Sequence, residues 1–153
     1  MSATLRDEEI QIIAGGLTLA GHLTVPAGAT GIVIFAHGSG SSLHSRRNRA
    51  VATLWAATDQ EVEVSAVVSR GGRPDLAGSR LQSVKAATLL IVGGLDEVVI
   101  DLNRQAQAEL SCENDLVIIP GVTHLFEEFG ALEHVADLAA DWFTSHWLNE
   151  LMQ

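Results

Sequence analysis

Residues 31–42, Gly-Ile-Val-Ile-Phe-Ala-His-Gly-Ser-Gly-Ser-Ser, restrict the fold of this chain more than any other stretch. Residues 32–36 form an uninterrupted apolar run, which is typical of a strand buried on both faces. The run stops at the His-Gly-Ser-Gly sequence of residues 37–40, where the glycines allow the chain to turn sharply. A polar segment and a helical pattern follow. Strand, glycine-rich turn and helix in this order direct free backbone N–H groups toward an anion.

Short apolar strands alternate with helical patterns along the rest of the chain. Two loosely alternating segments joined at a pair of glycines, 8–14 and 17–25, predict a β-hairpin. Further buried strands are predicted at 64–68, 88–92 and 115–119, and helices at 48–57, 76–86, 100–110 and 131–148. We therefore expect an α/β protein with three α/β/α layers. Its mostly parallel sheet should have about six strands and be led by the hairpin.

Periodicity predicts which side of each of the last two helices is buried. In the helix at 100–110, the expected inner stripe is Leu102, Ala106 and Leu110. In the helix at 131–148, the residues expected to face the sheet are Leu132, Val135, Leu138, Ala139, Trp142 and Phe143.

Composition bounds the class of protein. A chain of 153 residues with 47% hydrophobic residues is expected to form a single domain, 1–153. A net charge of −10 argues against binding to nucleic acid or to an anionic membrane, and no apolar run is long enough to span a bilayer. Residues 1–10 are polar and acidic, unlike a signal peptide, and the lone Cys112 excludes an intrachain disulfide. A cytoplasmic protein is the expectation.

An aspartate and a histidine follow successive predicted strands. Asp96 ends the sequence Gly-Gly-Leu-Asp, and His124 lies one strand–helix–strand step later. Ligands of parallel sheets bind beyond the carboxyl ends of the strands, so both residues should lie at one sheet edge. There they can form an acid–base pair in which the carboxylate fixes the imidazole tautomer. Alternatively, Asp96 caps the next helix and His124 is a loop histidine bonded to backbone.

These segments together resemble the α/β-hydrolase fold, and most closely its dienelactone-hydrolase-like branch. The resemblance rests on the turn at 37–40 and on segments 65–78, 89–96 and 120–129, in family order. It implies hydrolysis of small-molecule carboxylic esters or related acyl compounds, without a cofactor. It also implies that Gly38 and Ser39 line an oxyanion hole, with Asp96 as acid and His124 as base. Proteins of this family are sometimes associated with phosphoribosyltransferase domains, so a partner role is open.

The nucleophile is where the chain departs from this family. The family carries a Gly-x-Ser-x-Gly or Gly-x-Cys-x-Gly elbow between the oxyanion turn and the acid, and neither sequence occurs here. Residues 48–68 have room for one helix and one strand. The resemblance therefore implies an internal deletion that removed two strands, two helices and the elbow, with the join near 55–63.

Two substitutes for the missing nucleophile remain open. Ser69, expected just after the strand at 64–68, would neighbour the oxyanion strand, and a water activated by His124 is the other candidate. Arg70 and Arg73, in the turn-rich loop that follows, are candidate substrate-binding residues. Cys112 is expected at the opposite end of the sheet and is predicted to be inert.

The histidine and cysteine spacings do not match those of zinc sites, and the paired glycines lack the context of nucleotide loops. We therefore expect no metal and no cofactor. The shortened topology also makes a prediction: right-handed crossover requires the helix at 48–57 to pack on the face opposite to its place in the family. Otherwise an apolar groove near Trp55 stays open for a homodimer or another partner. The alternative function is thus a non-catalytic module for binding or assembly.

Overall fold

The computed structural model describes the backbone of residues 4–14, 17–26, 34–37 and 64–150, and the side chains of residues 64–146. Several predictions concern other residues and lie outside this part of the chain. They are the oxyanion turn with Gly38 and Ser39, the helix at 48–57 with Trp55, and the join near 55–63.

The described residues contain six strands, in the predicted order. They are β1 (Thr4–Ala14), β2 (Leu17–Pro26), β3 (Ile34–His37), β4 (Ala66–Arg70), β5 (Ala87–Gly93) and β6 (Asn114–Ile119). β1 and β2 pair antiparallel as the expected hairpin, from Thr4 opposite Pro26 to Ala14 opposite Leu17. The other four form a parallel sheet in the order β3-β4-β5-β6. The α/β class with a parallel sheet is therefore confirmed.

The arrangement of the hairpin differs from the prediction. Within the ranges described, the six strands form one sheet of two and one of four, instead of a single sheet led by the hairpin. The described part of β3, beside which the hairpin is expected, is four residues long and pairs with β4, with Ala36 opposite Ser69. That pairing confirms that β4 neighbours the oxyanion strand.

The parallel sheet is covered on both faces. Because strand side chains alternate, Val67 and Leu90 face one layer, formed by a 3₁₀ segment (Pro74–Ser83) and helix α1 (Glu97–Glu109). Val68, Leu89 and Ile91 face the other layer, formed by helix α2 (Ala131–Glu150). All seven residues of β5 are buried, as expected for a central strand covered on both faces. The three α/β/α layers are those predicted.

Helix α1 begins earlier than its apolar pattern predicts, at Glu97 instead of residue 100, because Asp96 caps it. Of the expected stripe, Ala106 and Leu110 are buried, but Leu102 is half-buried. Val99 and Asn103 are buried in addition. The sequence pattern missed Asn103 because an amide was not counted as an inward residue.

The remaining helical predictions need two corrections. In α2, Val135 and Ala139 are buried, and Leu138, Trp142 and Phe143 pack partly against the core, but Leu132 is 52% exposed. Ala131 takes the inner position at the start of this helix, which turns the next residue outward. The segment predicted at 76–86 is a 3₁₀ segment that ends at Ser83. It is interrupted at Gly78, whose φ of 55° lies outside helical geometry.

Candidate active site

Asp96 and His124 meet at the carboxyl edge of the parallel sheet. The Oδ2 atom of Asp96 lies 2.7 Å from Nδ1 of His124, across 28 residues of chain. Because a carboxylate oxygen can only accept, Nδ1 carries the hydrogen of this bond, and in the neutral form of the ring Nε2 then has a lone pair that can accept a proton. The His124 side chain is 33% exposed, so the ring is accessible to a small molecule. The contact expected from the sequence is therefore formed.

Asp96 also caps helix α1, so the cap and the contact with His124 occur together. Its Oδ1 accepts from the backbone N–H of Val99 at 3.4 Å, while Oδ2 is bound to His124. The backbone carbonyl of Asp96 accepts from Ile100. The helix cap thereby holds the carboxylate in one orientation, with one oxygen directed at the imidazole.

Close backbone contacts hold the His124 loop against the end of β5. Gly93 is packed so tightly that a Cβ there would lie 2.5 Å from the carbonyl oxygens of Val122 and Thr123. The backbone N–H of Leu95 donates to Val122 O at 3.0 Å. Only glycine fits at position 93 without displacing the loop, and this explains why the acid and the histidine approach each other.

The His124 loop is closed by two further residues. Phe126 adopts a φ of 57°, uncommon for a residue other than glycine, and its side chain is 1% exposed within the core. Glu128 accepts from the backbone N–H of Thr123 at 3.0 Å, and this hydrogen bond lowers the pKa of the Glu128 carboxyl. His124 therefore sits in a turn anchored on both sides.

Ser69 lies inside β4 instead of after it, because β4 runs from Ala66 to Arg70. Alternation along the strand puts Ser69 on the same face as Val67. Its side chain is 2% exposed, and its Oγ has no hydrogen-bond partner. The structure therefore does not bring Ser69 Oγ into hydrogen-bond contact with His124.

The two candidate arginines differ in how they are held. Arg70 lies over the Phe126 ring, with Cζ 5.0 Å from the ring centroid, and burial lowers the pKa of its guanidinium. Arg73 instead binds both oxygens of Asp75 at 2.8 Å, through Nε and Nη2, and the pKa of its guanidinium is raised by that hydrogen bonding. Arg70 thus lies beside the His124 loop, whereas Arg73 is engaged by a carboxylate.

The thiol of Cys112 is not part of the site. Cys112 lies before β6, away from the site, and burial raises the pKa of its thiol. Among the residues described, no three His, Cys, Asp or Glu side chains are grouped as metal ligands would be. No helix in that same part of the chain is long and apolar enough to cross a membrane.

A parallel sheet covered on both faces, with an aspartate and then a histidine paired after successive strands, occurs in α/β-hydrolases. The chain belongs to the dienelactone hydrolase family within this class. It is 36% identical to the crystal structure of a dienelactone hydrolase from Anabaena variabilis ATCC 29413, with a TM-score of 0.69. The match covers 92% of this chain and 98% of that one. No protein-family model matches the chain.

Two curated relatives come from Mycobacterium tuberculosis, strains CDC 1551 / Oshkosh and ATCC 25618 / H37Rv, and each is named "Putative phosphoribosyl transferase". Each is 44% identical to this chain over 208 residues, covering 93% of the chain. The chain spans only 47% of the length of these relatives. Because 208 aligned positions exceed the 153 residues of the chain, the alignment includes positions that this chain lacks.

Proposed function

We propose that this protein is a hydrolase of carboxylic esters or related small acyl compounds, in which Asp96 and His124 form the acid–base pair. The 2.7 Å hydrogen bond between Asp96 Oδ2 and His124 Nδ1 carries this proposal. It leaves the imidazole Nε2 available as a base, on a ring that is one-third exposed. The membership in the dienelactone hydrolase family supports the same chemistry.

In the proposed reaction, the oxygen of the nucleophile attacks the acyl carbon while His124 Nε2 takes a proton from that oxygen. The carbonyl π electrons move onto oxygen, and Asp96 stabilises the imidazolium that forms. Collapse of the tetrahedral adduct breaks the bond to the alkoxy group, which leaves with the proton from Nε2. Gly38 and Ser39 remain the proposed oxyanion donors, and Arg70 the proposed substrate-binding residue, with Arg73 a weaker candidate because Asp75 already binds it.

Water is our preferred nucleophile. Ser69 Oγ is buried without a hydrogen-bond partner, so nothing activates it in the observed geometry. We propose that the serine elbow was lost by an internal deletion near 55–63 of the single domain. The absence of any Gly-x-Ser-x-Gly sequence and the length of the alignment support this proposal.

Ester hydrolysis tests the function directly. Wild-type protein and the variants His124→Gln and Ser69→Ala are compared on 4-nitrophenyl acetate, with His134→Gln, an exposed histidine of α2, as the matched control. We expect activity to fall at least tenfold with His124→Gln and to persist in Ser69→Ala and His134→Gln. Equal rates in wild type and His124→Gln would refute the acid–base assignment.

A covalent probe separates the two nucleophiles. Intact mass is measured after treatment with a fluorophosphonate, for native and for heat-denatured protein. With water as nucleophile we expect ester hydrolysis without a native-only adduct. A native-only adduct that disappears in Ser69→Ala would identify Ser69 instead.

A non-catalytic module is the second candidate function. The names of the two longer relatives favour it, because the chain spans less than half of proteins assigned to phosphoribosyl transfer. In this alternative the domain binds or assembles with a partner, or forms a homodimer that covers the shortened sheet. Light scattering after size exclusion tests the homodimer. A folded protein that does not hydrolyse esters and is not labelled by the fluorophosphonate would favour this alternative. A cytoplasmic location, without nucleic-acid or membrane partners, remains a prediction of composition.

A further inference from the structure

Asn103 is a buried amide in the apolar stripe of helix α1. Its side chain is 0% exposed, although its neighbours on the stripe, Val99 and Ala106, are apolar. A polar side chain without solvent is unfavourable unless its hydrogen bonds are made. An aliphatic residue would suit the position if packing were the only requirement, so the contacts of the amide indicate its role.

The amide of Asn103 connects two segments that are 31 residues apart in the chain. Nδ2 donates to the carbonyl of Gly72 at 3.1 Å and to the carbonyl of Val99, in the same helix, at 2.8 Å. Both partners are acceptors, so the orientation of the amide is settled by its surroundings. Oδ1 is buried without a partner. Asn103 thus ties helix α1 to the turn that follows β4.

That turn lies against the histidine of the proposed site. Gly71 has a φ of 57°, and its backbone N–H donates to Ile91 O at 2.8 Å. A Cβ on Gly71 would lie 3.7 Å from Cε1 of the His124 ring and 3.5 Å from the His124 carbonyl oxygen. Since an added methyl group would only just touch the ring, the backbone of the turn lies close to the imidazole.

Helix α1 holds the other side of the same imidazole through Asp96. Val99 links the two contacts, because its N–H donates to Asp96 Oδ1 while its carbonyl accepts from Asn103 Nδ2. Hydrogen bonds therefore connect His124 to Asp96, Asp96 to helix α1, and helix α1 through Asn103 to the turn at Gly72, which lies close to His124.

We propose that Asn103 is the positioning residue of the Asp96–His124 pair. It sets the distance between the helix that carries the acid and the turn that lies beside the histidine, without touching substrate. This inference deepens the proposed function, since the pair it positions is the proposed acid–base site. Its test, however, can be read without turnover.

The test follows the His124 Nδ1 proton by NMR in protein labelled with ¹⁵N-histidine, with the resonance assigned by its loss in His124→Gln. Asn103→Leu keeps a similar volume and removes the donor. The control is Asn114→Leu, because Asn114 also donates Nδ2 to a carbonyl, that of Cys112 at 2.8 Å. Asn114 is the first residue of β6, at the opposite end of this strand from the His124 loop. We expect Asn103→Leu to shift or broaden the His124 proton signal and Asn114→Leu to leave it unchanged.

Activity provides the second readout. With an ester substrate, we expect Asn103→Leu to lower kcat at least tenfold with KM changed less than twofold, since the residue orients the base and does not bind substrate. Thermal unfolding checks that Asn103→Leu is folded. If this variant shows no cooperative transition, Asn103→Ser replaces it in both measurements. An unchanged proton signal in the folded variant would overturn the proposal. A shifted signal in a protein without esterase activity would keep the positioning role and reject the hydrolase function.

Discussion

The carboxylate of Asp96 binds Nδ1 of His124 at 2.7 Å with one oxygen and caps helix α1 with the other. Capping and acid–base chemistry are therefore not competing interpretations of this aspartate. The cap removes rotational freedom from the carboxylate, so that the oxygen facing the imidazole is already in place. A local feature of helix structure thereby prepares the contact between two loops.

Asp96→Asn should separate these two roles. Asparagine is as good a helix cap as aspartate, so we expect the melting temperature to change little. An amide cannot stabilise an imidazolium, and in Ser-His-Asp enzymes the same substitution lowers kcat about 10⁴-fold. With water as the nucleophile, we expect ester hydrolysis by Asp96→Asn to fall at least tenfold, as for His124→Gln. The control is Asp101→Asn, on the exposed surface of the same helix, where Asp101 pairs with Arg104. Unchanged hydrolysis by Asp96→Asn would contradict the assigned role.

Gly93→Ala should destabilise the protein by displacing the His124 loop. The added Cβ would lie 2.5 Å from two backbone carbonyl oxygens, neither of which can rotate away as a side chain can. We expect a loss of about 3 kcal/mol in the free energy of unfolding, the upper range for overpacked sites. Urea denaturation measures it.

Gly121→Ala is the matched control for that substitution. Gly121 has a φ of 72° and open space around its Cβ position, so alanine there costs only the left-handed conformation, about 1 kcal/mol. Comparable losses of unfolding free energy in both variants would show that the close approach of the carbonyl oxygens to Gly93 does not decide the effect of the substitution.

Glu128→Gln should change the acid dependence of stability. The hydrogen bond from Thr123 lowers the pKa of Glu128 in the folded protein, so the ionised group stabilises the fold above its unfolded pKa. This contribution is lost as pH falls through the lower, folded pKa. We expect the melting temperature of Glu128→Gln to be below wild type at pH 7, and the gap to close below the ordinary glutamate value of about 4.3.

The neighbouring Glu127 provides the control for this pH dependence. Glu127→Gln, at an exposed position of the same loop, should follow the wild-type melting curve across the pH range. A constant difference between wild type and Glu128→Gln from pH 3 to pH 7 would exclude a contribution from ionisation of Glu128.

Cys112 should react slowly in the folded protein. Burial raises the pKa of its thiol, which reduces the fraction of reactive thiolate, and its Sγ lies 3.8 Å from Thr88 Oγ1. We expect labelling by iodoacetamide at pH 8 to be about tenfold slower in native protein than in guanidinium chloride. The modified fraction is followed by intact mass. Equal rates in the two states would mean that the thiol is not protected.

The order of strands and helices along the chain could be predicted because it depends on repeated local patterns. Apolar runs ending in glycine turns predicted the strands, and one strand–helix–strand step predicted that Asp96 and His124 share a sheet edge. Parallel strands bring their carboxyl ends together whatever the details of packing, so this contact follows from the topology of the sheet. The alternation of strands and helices likewise predicted three layers.

Predictions that depended on one or two residues of register were less successful. Ser69 was expected after its strand and lies inside it, because β4 continues to Arg70 through pairing with its neighbours. A shift of this size changes a turn residue into a buried one. The prediction that Leu132 faces the sheet is wrong for a similar reason, since Ala131 occupies the inner position at the start of α2.

By itself, the sequence determined the class of fold, the strand order along the chain and the pairing of Asp96 with His124, because these follow from hydrophobic period and sheet topology. Only the tertiary structure decided that Ser69 is enclosed and that Asn103 joins helix α1 to the turn behind His124. Both outcomes depend on packing between segments distant in the chain. A pattern read along one segment does not contain the position of its neighbours, and those neighbours decide whether a polar atom is exposed, paired or buried.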